Sequence, residues 1–166
     1  ERYLEASGLA WTHLRPNFFM QIFATDPLLA GIRAGVIAVP AADATLSFID
    51  ARDIAEVAAV VLTGTDHQGR AYTLTGPGAI DHGTVAAEIS KASGRDVRYL
   101  ALDEQTARAR LAASGFPQAR IERLVGFYRL VRSGFCSPVT GDVERVLGRS
   151  ATPFSTFAAD HRSRWA

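Results

Sequence analysis

The run Gly76-Pro77-Gly78-Ala79-Ile80-Asp81-His82-Gly83 comes nearest to a phosphate-cradling loop in this chain. It follows a strand-like segment and precedes a helix, the context of a dinucleotide loop. Its details point elsewhere. The third glycine comes two places late, and Pro77 has no N–H to offer a phosphate. Asp81 would put a carboxylate at the helix N-terminus, where a pyrophosphate belongs. A turn followed by a helix cap is the expected reading. Other reactive constellations are missing. Tyr3, Tyr72, Tyr99 and Tyr128 have Ser7, Gly76, Asp103 and Arg132 four places on, so no Tyr-x-x-x-Lys pair exists. Lys91 is the single lysine and lacks the glycines of a Walker loop. His13, His67, His82 and His161 stand apart from one another, without zinc-site spacing, and no metal is expected. Cys136 has Arg132 nearby but no adjacent histidine to activate a thiolate. Asp50 and Asp53 open a helix and read as cap and first-turn charge rather than as acid and base.

One segment keeps a ligand-facing character. Residues 14–21, Leu-Arg-Pro-Asn-Phe-Phe-Met-Gln, leave a strand, turn at Pro16 and present two aromatics and a methionine. In open α/β sheets ligands bind outside the carboxyl ends of the strands. If residues 11–15 form such a strand, residues 16–19 line a cleft. If not, the same side chains start a core-facing helix.

The elements that must position this segment alternate between short strands and helices, which indicates an α/β chain. Strands are expected at 11–15, 36–40, 46–49, 70–75 and 97–102. Helices are expected over 18–34 with an interruption at Asp26-Pro27, over 53–62, from Asp81 to Gly94, from Asp103 to about 114, and from Pro117 to about 133. Two more short helices are expected around Pro153. Ile54, Val57, Ala58, Val61 and Leu62 share one helix face. Ile80 and Val85 bracket Asp81 as a hydrophobic staple.

Composition narrows the function classes. Of the 166 residues, 48% are hydrophobic and 21% charged, enough for a packed core. The net charge of +1 does not fit a dedicated nucleic-acid binder. No apolar run approaches the length of a membrane span, so no membrane role is expected. The chain opens on Glu1-Arg2-Tyr3 rather than on an initiator methionine or a basic patch followed by an apolar stretch, so no signal peptide is expected. A single cysteine suits a reducing compartment, and a cytoplasmic location is expected.

Four runs, in order, resemble the NmrA-like, atypical short-chain dehydrogenase/reductase family. They are SGLAWTHLRPNFFMQ (7–21), LSFIDARDIAEVAAVVLTG (46–64), YTLTGPGAIDHGTVAAEISKASGRDVRY (72–99) and VLGRSATPFSTFAADH (146–161). The set resembles the quinone-oxidoreductase-like branch, and only its C-terminal portion. The resemblance implies an incomplete parallel sheet of an NAD(P)-binding Rossmann-type fold with a small, mostly helical substrate-binding lobe. Residues 1–80 would be the remnant of the dinucleotide-binding domain, with interleaved lobe segments, and 81–166 the lobe itself. It implies hydride transfer from NADPH, or NADH, to a small carbonyl or quinone, with most of the cofactor site outside this chain. Pro16, Asn17 and Phe18 would border the cofactor, and Phe19, Met20 and Phe48 would wall the substrate pocket. Asp53 would cap its helix. No proton donor carries over, and Arg15 and Arg52 could be salt-bridged or ligand-binding. The bare sheet edge would need covering, by the missing N-terminal half or by a partner chain. The alternatives are a non-catalytic dinucleotide-sensing regulator that acts through a partner, and an inactive fragment.

Overall fold

Parallel strand pairs organise the chain in the computed structural model, which describes residues 1–166. A short helix α1 (Arg2–Glu5) leads through Gly8, at φ +78°, into β1 (Thr12–Pro16). A 3-10 turn (Met20–Ala24), α2 (Leu28–Arg33) and β2 (Val36–Val39) follow. Then come α3 (Ala51–Thr63), β3 (Arg70–Leu74), α4 (His82–Ser93) and β4 (Arg98–Ala101). The chain ends in α5 (Glu104–Ala113), α6 (Gln118–Arg132), α7 (Asp142–Leu147) and α8 (Phe154–Trp165). β1 pairs with β3 and β2 with β4, both in parallel, in two separate two-stranded sheets.

Local chemistry accounts for most boundaries. The carboxylates of Asp81 and Asp103 accept the backbone N–H groups of Thr84 and Thr106, each at 2.7 Å, which satisfies orphan donors of α4 and α5. Gly94 ends α4 at φ +72°, a left-handed conformation that costs glycine nothing. Alternation in β2 buries Ile37 and Val39, and in β3 it buries Tyr72 and Leu74.

The apolar stretch 18–34 is interrupted at Asp26-Pro27 as expected: a 3-10 turn and α2 flank that bond, which is cis. Two expectations need correction. Residues 46–49 do not form a regular strand. Their ladder is divided among three partners: Leu46 bridges Ile80, the Ser47 N–H reaches the Cys136 carbonyl, and Ile49 bridges Phe19. Asp53 does not cap α3. Asp50 does, accepting from the Arg52 N–H at 2.9 Å. Asp53 is instead buried in the first turn and accepts from Arg149 Nη2 (2.8 Å), the Thr152 N–H (2.7 Å) and Thr152 Oγ1 (3.0 Å). It fastens the α7–α8 connection to α3.

The larger core joins the 3-10 turn, α2 and β2 to α4 and α8. It includes Phe23, Ile32, Phe48, Ile89, Phe157 and Trp165. The Trp165 indole N–H donates to the Phe23 carbonyl at 2.8 Å, so the last turn of α8 is pinned to the core. A smaller core of Ile49, Val57, Tyr72, Leu74, Val143 and Ala151 lies between α3, β3 and α7. Both cores draw on residues from before and after position 80. The two sheet edges differ. Beside β3, Asp142 accepts the Thr73 N–H at 2.7 Å and Thr140 pairs with Thr75. β1 has no second strand neighbour.

Candidate functional site

The carboxyl ends of β1 and β3 lie side by side, with Pro16 opposite Leu74. One residue on, the Asn17 N–H donates to the Leu74 carbonyl at 2.9 Å, so the pairing outlasts the strand. The Asn17 amide group then fixes the exit. Its Nδ2 donates to Ser47 Oγ (2.6 Å) and to the Cys136 carbonyl (2.8 Å), and its Oδ1 accepts the Phe18 N–H (2.9 Å). These bonds tie the strand end to two distant segments. Asn17 therefore acts through the backbone shape it enforces, with its amide already engaged.

Phe18 emerges from this exit half-buried. Its ring stacks on Phe127 of α6 at 4.6 Å between centroids and meets Phe48 edge-on at 6.1 Å. There it lines a cleft of about 480 Å³ between the 3-10 turn and α2 on one side and α5 and α6 on the other, with the ends of β2 and β4 behind. The walls are mainly apolar, among them Leu28, Val39, Leu111, Leu124 and Phe127. A mostly apolar concavity with a few polar groups is the usual form of a small-molecule site.

The other expected site residues are not gathered here. Pro16 is exposed at the strand end, and Phe19 is 41% exposed away from the cleft. The bridge between Phe19 and Ile49 turns Phe19 outward and Met20 inward. Met20 and Phe48 are buried in the larger core and border a separate hollow of about 290 Å³ near Pro77 and Phe154. Of the expected set, only Phe18 reaches the large cleft. Phe127 and Tyr128, absent from that set, form its opposite wall. Tyr128 shares the apolar stripe of α6 with Ile121, Leu124, Val125 and Val131, and that pattern signals only a packed face.

The charged groups around the strand exit are paired. Asp50 is fully buried; burial alone would raise its pKa, but bonds from Arg52 and Gln21 outweigh this and hold it below the usual carboxylate range. Arg52 Nη2 reaches Asp50 at 2.7 Å and Arg52 Nη1 reaches Asp160 of α8 at 2.8 Å. Arg15 bonds Glu1 through two nitrogens, at 2.9 and 2.7 Å. Both arginines are thus salt-bridged. Glu5 meets His13 Nε2 at 3.0 Å. Cys136 is buried, and desolvation raises its thiol pKa, the opposite of an activated nucleophile. Its carbonyl, accepting from Asn17 and Ser47, is what the site uses.

Known proteins resemble the chain as a whole. The chain is 36% identical over 165 residues to the NAD(P)H azoreductase of Xenophilus azovorans, covering 97% of this chain and 56% of the azoreductase. It is 36% identical over 167 residues to the (4-alkanoyl-5-oxo-2,5-dihydrofuran-3-yl)methyl phosphate reductase of Streptomyces griseus, covering 100% of this chain and 58% of the reductase. Among solved structures, an NADPH-dependent quinone oxidoreductase from Escherichia coli superposes with a TM-score of 0.83 at 26% identity, over 96% of this chain and 57% of that one. The chain therefore spans a little over half the length of these relatives. No helix is long and apolar enough to cross a membrane. The NmrA-like family matches residues 1–157, and with the Rossmann-type strand pairs and the strand-exit loop described above, the chain belongs to that family.

Proposed function

We propose that this chain is the substrate-side portion of an NAD(P)H-dependent oxidoreductase that reduces a small carbonyl or quinone. The observation that carries this reading is Phe18, set at the carboxyl end of β1 by the Asn17 clamp and forming one wall of the apolar cleft. The relatives named above are reductases, two of them named as users of NAD(P)H or NADPH. A nicotinamide ring fits the strand exit: Pro16 is exposed, Asn17 and Phe18 are half-buried, and the Asn17 amide is fully occupied in holding the loop. When bound, the cofactor supplies hydride. Pro16 and Asn17 would border it, Phe18 would separate it from water, and Phe18 with Phe127 would orient the substrate ring.

The rest of the cofactor site would come from a nucleotide-binding half that also covers β1. Trp11, Leu14, Val61 and Leu62 line a hollow of about 620 Å³ between β1 and α3, and Leu9 and Leu62 are largely exposed. A strand with one open edge flanked by apolar surface favours a covering partner.

Two outcomes test the reading. The 166-residue chain alone should show no micromolar affinity for NADPH in isothermal titration. Its one glycine-rich turn ends in Asp81, whose carboxylate already occupies the α4 N-terminus. A dissociation constant near 1 μM would contradict the division of the site. In the full-length protein, Phe18→Ala should lower kcat/KM for NADPH-driven reduction of 1,4-naphthoquinone by about tenfold to a hundredfold. Its stability cost should stay below the ~3–5 kcal/mol of a fully buried phenylalanine. A large shift in the urea midpoint with unchanged kcat/KM per folded molecule would make Phe18 packing only.

A further inference from the structure

Tyr128 stands out among the polar side chains of the cleft. The others, Thr25, Asp26, Arg110 and Ser114, are all exposed. Thr25 Oγ1 donates to the Gln21 carbonyl and Ser114 Oγ to the Arg110 carbonyl, so both hydroxyl protons are already spent. Tyr128 alone is half-buried and lines the cavity between apolar neighbours.

Its hydroxyl also differs from those of the other tyrosines. Tyr72 Oη pairs with His67 Nδ1 at 2.8 Å, and Tyr99 Oη donates to the Ala42 carbonyl at 2.8 Å. Tyr3 is 91% exposed and meets water. Tyr128 Oη has no partner in the chain, and only burial and the neighbouring Tyr99 affect its ionisation. Tyr128 Oη is not sealed in the core and Tyr128 lines the cleft, so its proton is free for a ligand atom that enters there.

The position suits a substrate contact. The Tyr128 ring meets Phe127 edge-on at 5.9 Å, and Phe127 stacks on Phe18. α6 is held in place by Arg129 and Arg132, which converge on Glu104 of α5, while Arg132 also donates to the Pro40 carbonyl. A hydroxyl on this braced helix can fix the orientation of a planar ring lying in the cleft.

We propose that the Tyr128 hydroxyl donates a hydrogen bond to the acceptor oxygen of the substrate, selecting aromatic ketones and quinones over hydrocarbons of the same shape. This rests on the cleft being the substrate site. Burial raises the phenol pKa well above its ordinary value, so the group remains a donor throughout the neutral and mildly alkaline range. A site built to bond an oxygen rejects analogues that lack it, because its own polar group is then left unpaired.

The test compares α-tetralone with tetralin, the same fused ring with and without the ketone oxygen, by ligand-observed NMR titration of the full-length protein. Wild-type protein should prefer tetralone. Tyr128→Phe should weaken tetralone about fivefold to tenfold and leave tetralin within about twofold, with a melting temperature at or above wild type. Tetralone affinity unchanged by Tyr128→Phe, or a lowered melting temperature revealing a structural partner for the hydroxyl, would overturn the proposal. Leu111→Trp, which fills the cleft, separates the two levels of the argument. It should weaken both probes; if neither responds, the cleft is not the ring site and the underlying reading falls as well. If both respond to Leu111→Trp and neither to Tyr128→Phe, the cleft stands and the tyrosine's role falls.

Discussion

Gly76→Ala should destabilise the fold by about 3 kcal/mol or more, a large share of the ~5–15 kcal/mol that holds a typical domain together. A Cβ at Gly76 would stand 2.0 Å from the Phe48 carbonyl oxygen and 3.2 Å from its carbon. Both are backbone atoms, so no side-chain rotation relieves the clash. The facing segment cannot easily retreat. The Ser47 N–H is bonded to Cys136, the Ile49 N–H to Phe18, and the Met20 N–H to Ile49. Moving Phe48 aside would strain the same bonds that shape the strand exit, so the damage should reach the cleft too. Gly78, two residues on, has open space around its Cβ position. Gly78→Ala should stay within about 0.5 kcal/mol and serves as the control. Urea midpoints followed by circular dichroism decide the matter. Equal midpoints for the two alanine variants would show that the approach of Gly76 to Phe48 is not a constraint on the fold.

This glycine also shows where sequence reading reaches its limit. The run from Gly76 to Gly83 could be recognised as a turn and cap, because Asp81 and its staple are local features. The reason for glycine at 76 is a contact with a residue 28 positions earlier, which no local pattern contains. The same division holds elsewhere. The caps at Asp81 and Asp103, the left-handed Gly94 and the strands before Asn17 and Thr75 are written in neighbouring residues. Residues 46–49 look like a strand because they alternate in an apolar context, yet their backbone groups serve three different segments. Asp53 looks like a cap because it opens a helix, and its true partners are Arg149 and Thr152, about a hundred positions away. Pro16, Asn17 and Phe18 entered as site candidates through a family pattern and through the rule for strand ends. The far wall of the cleft did not, because Phe127 and Tyr128 follow the same helical spacing as the buried residues of α6.

The largest response to pH should come from His82. Its side chain is fully buried and neither ring nitrogen has a hydrogen-bond partner. Phe23 and Phe48 meet it edge-on, and Tyr99 stacks on it at 5.4 Å. Burial lowers its pKa from 6.5 to about 4, against the smaller opposing pull of the neighbouring Asp81 carboxylate. In the unfolded chain the ring keeps its ordinary affinity for protons, so below pH 6.5 the unfolded state binds more protons than the folded state. Stability therefore falls as pH drops from about 6.5 to about 4, and the loss levels off below the folded pKa. The loss is about 2 kcal/mol by pH 5 and about 3 kcal/mol by pH 4. His82→Phe keeps an aromatic ring in the site while removing the titration and two unpaired nitrogens. The carboxylates that also drive acid unfolding are common to both proteins, so the difference between them isolates His82. Guanidinium midpoints at pH 7.5, 5 and 4 should diverge, with the phenylalanine variant gaining on the wild type at each step down. A gap that stays constant over that range would mean that the ring finds a partner or water when protonated, and that its burial carries no acid penalty.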